Sequence, residues 1–212
     1  MTDERPTYLN IANMVTRTKA LGPGTRAAIW VQGCNFRCPG CIAPDWIPFK
    51  PSIQLTPQEV VDKLVSENID GLTFSGGEPM AQAEALAEVA RLARKKRELN
   101  LICFTGYRYQ SLLFRPPNKG VVKLLSLVDV LIDGPYIRDL NNSIGLRGST
   151  NQRIIHLTDR LKNTTLDQIE RKIEFKIEDG SMILIGIPTP DVNTALDHIF
   201  SNRDNFKIRT SQ

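Results

Sequence analysis

The sequence predicts an α/β fold in one domain, built on a parallel sheet. Three observations carry this reading. Short apolar runs of strand character alternate with stretches of helical periodicity between about residues 26 and 132, the rhythm of a parallel sheet with right-handed crossovers. Those runs end in small or acidic turns, at Gly33-Cys34, Gly76-Gly77-Glu78, Thr105-Gly106 and Asp133-Gly134, where α/β proteins place their chemistry. A length of 212 residues suffices for one domain with a full core and is short for two.

Along the chain, Tyr8-Leu9-Asn10-Ile11-Ala12 reads as an edge strand, and Leu21-Gly22-Pro23-Gly24-Thr25-Arg26 as a turn. Ala27-Ala28-Ile29-Trp30-Val31 is the first core strand. Residues 42–55 read as a loop because Pro44, Pro48 and Pro51 interrupt any regular element, with Trp46 and Phe49 as an apolar cover. Thr56-Pro57-Gln58-Glu59 starts a helix, with Thr56 as N-cap, Pro57 at the first position and Glu59 closing a capping box. Val60, Val61, Leu64 and Val65 form its apolar stripe. Gly71-Leu72-Thr73-Phe74 is a buried strand, residues 81–98 a helix buried through Leu86, Val89, Ala90 and Ala93, and Leu101-Ile102-Cys103-Phe104 the next strand. A helix at about 119–127 and a strand at 128–132 follow. Residues 136–152 form a long polar loop, and Arg153 to Leu157 another strand. A short helix is expected at 165–172. A closing hairpin follows, from Lys172 to Ile177 and Met182 to Ile187 through Glu178-Asp179-Gly180, then an amphipathic segment at Leu196 to Phe200 and a polar, basic tail.

Hydrophobic content is 41% and charged content 24%, as in a soluble globular protein. No apolar run reaches the roughly 18 residues of a membrane span, and Met1 to Pro6 holds no apolar leader segment, so the expected location is the cytoplasm. The net charge of +4 is mild. Its densest run, Arg94-Lys95-Lys96-Arg97, falls at a helix C-terminus, where the helix dipole favours cations. No nucleic-acid motif accompanies it.

Three of the 4 cysteines crowd into Cys34-Asn35-Phe36-Arg37-Cys38-Pro39-Gly40-Cys41, spaced C-x3-C-x2-C. Three thiols in so short a loop cannot all pair as disulfides. Zinc requires a fourth ligand, for which the candidates are Cys103, His156 and His198. A [4Fe–4S] cluster held by three thiolates leaves one iron open to a cofactor or substrate. Downstream, the paired glycines of Ser75-Gly76-Gly77-Glu78-Pro79 permit close backbone approach to a ligand, and the carboxylate beside them suits an ammonium group. Cys103 reads as a core thiol and His156 as a structural histidine.

C-x3-C-x2-C followed by Gly-Gly-Glu-Pro resembles the radical S-adenosylmethionine (SAM) superfamily. Gly22-Pro23-Gly24-Thr25-Arg26 ahead of Gln32-Gly33-Cys34 is similar to the lead-in of the glycyl-radical-enzyme activases. Cys38-Pro39-Gly40-Cys41 and Arg147-Gly148-Ser149-Thr150-Asn151-Gln152-Arg153 are similar to the branch that activates anaerobic ribonucleotide reductase. The resemblance implies an incomplete (β/α) barrel of about six parallel strands in a single domain, with a core at about 20–157 and a small hairpin-and-helix extension at about 158–212. It implies that Cys34, Cys38 and Cys41 ligate the cluster, that the Gly76-Gly77-Glu78 turn receives the SAM amino group, and that Thr105 and Asp133 touch its carboxylate or ribose. The implied activity is reductive cleavage of SAM to a 5′-deoxyadenosyl radical that abstracts hydrogen from a partner's glycine. The partner's loop would enter through a lateral opening, and a flavodoxin or ferredoxin would supply the electron. Two features depart from the pattern: Gly40 stands where many members have an aromatic residue, and Phe104 where some activases have a carboxylate. Two rival readings stay open: the same chemistry on a small molecule or peptide, and a non-enzymatic iron–sulfur or zinc module that binds a partner or senses redox state.

The expected outcome of cysteine substitution is sharp. Cys34→Ala, Cys38→Ala and Cys41→Ala each abolish SAM cleavage, while Cys103→Ala keeps it. Loss of the cluster in Cys103→Ala would overturn the three-ligand reading.

Overall fold

A strand with every residue buried, β2 (Arg26–Val31), lies in the middle of the molecule. The computed structural model describes residues 7–65, 68–178, 181–200 and 208–211. The Met1 to Pro6 segment and the Asp179-Gly180 turn lie outside the described residues. Around β2 runs a seven-stranded sheet in the order β3-β1-β2-β4-β5-β6-β7. Its members are β1 (Leu9–Thr18), β3 (Ile53–Leu55), β4 (Gly71–Gly76), β5 (Asn100–Thr105), β6 (Val130–Asp133) and β7 (Arg153–His156).

The parallel run is β2-β4-β5-β6, and no barrel closes. The expected six parallel strands are thus corrected to four. The physical reason lies in the connections. β1 reaches β2 through a tight turn, so the pair is antiparallel. After β6 no helix carries the chain back to the other end of the sheet. Residues 134–152 stay at the C-terminal end of β6, and β7 returns antiparallel, with Asp133 opposite Arg153. β1 is also not an edge strand. The short β3, inside the stretch expected to be loop, pairs with it through Leu9–Leu55 and Ile11–Ile53.

The helices are α1 (Pro57–Leu64), α2 (Ala83–Lys96), α3 (Tyr109–Phe114) and α4 (Gly120–Leu125). Thr56 caps α1 in a full capping box with Glu59, as its sequence requires. α3 is an addition to the expected set; its six residues are too few for a periodic signal. Leu86, Val89, Ala90 and Ala93 of α2 pack with Ile29, Phe74, Leu101 and Leu131 on one face of the sheet.

The other face is covered by the C-terminal third of the chain. The expected hairpin forms from β8 (Ile173–Glu178) and β9 (Ser181–Gly186), with β10 (Ile208–Ser211) added parallel to β9. Ile183 and Ile185 pack with Ala12, Val15, Ala28 and Trp30. Leu146, Leu161, Leu166 and Ile187 cover Ile102, Phe104, Val130 and Ile132. Both faces of the sheet are therefore covered. No helix forms at 165–172; a short 3-10 turn at Asp159–Leu161 and irregular chain take its place. The amphipathic segment forms α5 (Pro190–Phe200).

At the N-terminal end of β2, opposite the cysteines, the Arg26 side chain is fully buried. It donates to Thr73 Oγ1 (2.7 Å), Asn100 Oδ1 (2.5 Å), the Leu72 carbonyl (2.6 Å) and the Pro23 carbonyl (3.2 Å). Burial pulls its pKa down to about 9. Gly71 makes room for it, since a Cβ there would lie 2.6 Å from Arg26 Nη1. The lead-in arginine is thus a lock among the starts of β2, β4 and β5.

Replacing Arg26 by Met leaves these buried acceptors without a donor. We expect Arg26→Met to lose about 3 kcal/mol or more of stability, measured by urea unfolding. A loss below about 1 kcal/mol would show that other donors replace it.

Candidate functional site

The C-terminal ends of β2, β4, β5 and β6 meet over one cavity. Cys34, Cys38 and Cys41 line it, together with Gly76, Gly77, Glu78, Thr105, Gly134, Tyr136 and Gln152. All three crowded cysteines therefore face the Gly-Gly-Glu turn, as their positions at strand ends require.

The seam between the two motifs is backbone. Gly77 N donates to the Val31 carbonyl at 2.8 Å and Glu78 N to the Gly33 carbonyl at 2.9 Å. A Cβ on Gly77 would lie 2.2 Å from the Gly33 oxygen, and one on Gly76 2.4 Å from Val31 N. Gly76 also has φ of 104°, a region L side chains rarely adopt. Both glycines are needed for strand ends to approach this closely. The cysteine loop is held from its other side, where Gly33 N and Cys34 N donate to the carbonyls of Trp46 and Ile47, both at 2.9 Å. Trp46 is buried against Trp30 at 6.1 Å, whereas Phe49 is 66% exposed. Of the two expected covering aromatics, only Trp46 joins the core.

Phe36 clamps the loop to the β5 turn. Its ring meets Tyr107 edge-on at 4.8 Å, Asn35 Nδ2 donates to Tyr107 Oη at 2.9 Å, and a Cβ on Gly106 would lie 2.6 Å from the Phe36 ring. Gly40 has φ of 72°, and a Cβ there would sit 2.3 Å from Arg138 Nε. Arg138 thus occupies the space that an aromatic residue before the third cysteine would need.

Glu78 is buried to 1% exposure. Its Oε1 accepts from Met80 N (2.9 Å) and Thr105 Oγ1 (2.8 Å), and its Oε2 accepts from Gly106 N (2.9 Å). Burial pushes its carboxyl up to about 7 against those three donors, and no cation acts on it. Asp133 is the opposite case. It is equally withdrawn from solvent but is not among the residues lining the cavity. It accepts from Arg153 Nε at 2.9 Å, from Arg153 Nη2, and from Tyr109 N at 2.7 Å, with Arg108 Nη1 at 3.5 Å. Burial raises its pKa, but Arg153, the Tyr109 N–H and Arg108 outweigh that and hold it low. The site thus brings Thr105 and Glu78 together and leaves Asp133 as an anchor for β7.

Tyr136 and Gln152 form the wall across from the cysteines, and single-residue reasoning passed over both. Gln152 Nε2 donates to the Gly134 carbonyl at 2.8 Å while its Oε1 accepts from Gly148 N (2.8 Å) and Ser149 N (3.2 Å). Ser149 Oγ accepts from Ile137 N at 3.1 Å. The Arg147–Arg153 stretch therefore folds back to brace the segment carrying Tyr136. The motif itself was the available signal; its geometry depends on contacts between distant residues.

The donor set fits an iron–sulfur cluster. Three thiols share one cavity, and thiolate sets of this kind suit iron–sulfur chemistry. Cys103 is buried on the helix side of the sheet. His156 is exposed and pairs with Val130, at the far end of β6. Burial pushes the Cys34 thiol up to about 12 and also raises Cys41. Iron must therefore displace protons from these thiols as it binds. The buried carboxylate of Glu78, without a counter-charge and next to the cysteines, suits a cationic ligand.

Comparison with known proteins agrees with this chemistry. The family described as "4Fe-4S single cluster domain" matches residues 20–155. An anaerobic ribonucleoside-triphosphate reductase-activating protein from Salmonella typhi is 32% identical over 146 residues, covering 64% of this chain and 91% of the relative. One from Enterobacteria phage T4 is 30% identical over 144 residues, covering 65% of this chain and 88% of that protein. A pyruvate formate-lyase-activating enzyme from Clostridium pasteurianum is 34% identical over 94 residues, 42% of this chain and 40% of that enzyme.

Two substitutions test the seam. Gly77→Ala drives a methyl into the Gly33 carbonyl and is expected to cost about 1–3 kcal/mol and to lower iron content after reconstitution. Glu78→Gln sets an amide NH2 against one of the donors now meeting the carboxylate. The expected loss is about 1–3 kcal/mol in urea unfolding.

Proposed function

The chain belongs to the 4Fe-4S single cluster domain family and shares a family with the anaerobic ribonucleoside-triphosphate reductase-activating proteins; on that premise we propose that it is a radical SAM activase. It installs a glycyl radical on a large partner enzyme, an anaerobic ribonucleotide reductase or a relative of one. The observation that carries this reading is the single cavity shared by Cys34, Cys38, Cys41 and Gly76-Gly77-Glu78.

In this reading Cys34, Cys38 and Cys41 hold a [4Fe–4S] cluster and leave one iron for SAM. A cluster held there would supply one-electron reduction of bound SAM, passing on an electron received from an external one-electron donor. The chain's own residues do the positioning. The Gly76-Gly77-Glu78 turn takes the SAM amino group, the buried Glu78 charge favouring that cation. Thr105 fixes the Glu78 carboxylate through its 2.8 Å hydrogen bond and faces the same ligand. Phe36, Phe104 and Tyr136 give the cavity apolar walls that keep water from the radical. Asp133 acts at one remove, holding Arg153 and the start of α3. The partner's glycine loop reaches the radical at the strand ends, because β9 and Ile187 cover the inner sheet face. No helix among the described residues is long and apolar enough to cross a membrane.

Anaerobic reconstitution tests the proposal. We expect about four irons per chain and formation of 5′-deoxyadenosine from SAM under reduction. A glycyl radical signal by EPR should appear only when the partner enzyme is added. SAM cleavage with no radical on any glycyl-radical enzyme would sink the activase assignment and move the chemistry to a small molecule or peptide. Absence of iron would sink the whole reading.

A further inference from the structure

The loop carrying the three cysteines has two faces. The inner face is the cavity shared with Gly76-Gly77-Glu78. The outer face forms a separate groove lined by Cys34, Asn35, Arg37, Cys38, Ile47 and Phe49. Cys34 and Cys38 line both, whereas Cys41 lines only the inner cavity. A group bound to these thiols is therefore approachable from two sides, and only one side holds the turn that would bind SAM.

The surface around the outer groove has a definite character. Phe49 is 66% exposed, and its ring lies so close over Gly33 that a Cβ there would be 2.4 Å from it. It is an aromatic anchor presented to solvent on a braced stretch of chain. Arg37 and Lys50 flank it, both exposed, against Asp45 as the acidic residue in residues 33–50. Arg138 packs on Gly40 at the adjoining edge of the loop. Among the described residues Arg37, Lys50 and Arg138 enter no ion pair. Uncompensated cations around an exposed aromatic make a patch complementary to an acidic protein surface.

We propose that this outer groove is the electron-entry surface, docking an acidic one-electron carrier protein with Phe49 at the centre of the contact and Arg37 and Lys50 steering it. The inference rests on the activase reading, since it assigns the inner cavity to SAM and the partner's glycine. One electron leaves the carrier and one enters the cluster, with no bond made or broken in this chain. The division has a physical purpose. The inner cavity must stay closed to water around a radical, so the reductant is served from the opposite face.

The test uses the reconstituted chain and fully reduced flavodoxin as the probe, following cluster reduction by its visible absorbance in stopped flow. Arg37→Glu and Lys50→Glu are each expected to lower the second-order rate constant about tenfold at low ionic strength. The defect should shrink with salt, as screening shortens from about 30 Å at 0.01 M to about 8 Å at 0.15 M. Phe49→Ala should slow reduction at every salt concentration. Reduction by dithionite should be unchanged in all three variants, which shows that fold and cluster are intact. Equal rates with flavodoxin in the variants and the unaltered chain would overturn the proposal. So would variants that accept electrons from flavodoxin normally but, once reduced by dithionite, no longer form a radical on the partner enzyme; the groove would then dock that enzyme. Failure of the dithionite-reduced chain to cleave SAM would refute the activase reading separately, while the flavodoxin rates still judge the groove.

Discussion

One backbone contact sets the geometry of the site: Gly77 lies so close to the Gly33 carbonyl that no side chain fits between them. Through it the turn after β4 is hydrogen-bonded directly to the loop after β2. The three cysteines and the Gly-Gly-Glu turn are thereby parts of one rigid corner instead of two neighbouring loops. Direct backbone hydrogen bonds fix the two motifs relative to each other, the support that a functional site needs from its scaffold. Phe36 on Tyr107 and Gly106 extends the corner to β5, and the Arg147–Arg153 stretch extends it to β6 and β7.

The rest of the fold leaves the strand ends as the place where chemistry can occur. α1, α2 and α4 cover one face of the sheet, and β9 with Leu146, Leu161, Leu166 and Ile187 covers the other. Arg26 ties the opposite ends of β2, β4 and β5 together. The family match ends at residue 155, so the strands that cover the inner face belong to a part of this chain beyond it. Ile183 and Ile185 of β9 pack on Trp30, so this strand is part of the core.

Two buried carboxylates show how environment divides roles. Asp133 and Glu78 both follow or end parallel strands, and both are withdrawn from water. Asp133 has two arginines and is held ionised as a structural anchor. Glu78 has three neutral donors and no cation, so burial raises its pKa. A carboxylate in that condition gains from a positive ligand, whereas Asp133 has no unmet charge to offer. The two carboxylates therefore stand at similar strand ends but in different surroundings, one met by neutral donors and the other by arginines.

Much of the molecule was legible from local rules. The Thr56 capping box, the alternation of β2 to β6 with helices, the β8–β9 hairpin and the placing of Cys34, Gly76 and Thr105 at strand ends all follow from short-range pattern. Each depends on residues within one turn or one strand of each other. What the sequence could not determine depends on long-range closure. The direction of β7 depends on whether a helix returns the chain, β3 is too short for its pattern to register, and α3 spans barely more than a turn. The occupant of the inner sheet face, the partners of Asp133 and the wall of Tyr136 and Gln152 are decided mainly by residues from separate elements of the chain. Such contacts leave no period in the sequence, because only the assembled sheet brings those residues together. The sequence alone thus placed the candidate residues at strand ends; the tertiary structure decided which of them share a cavity.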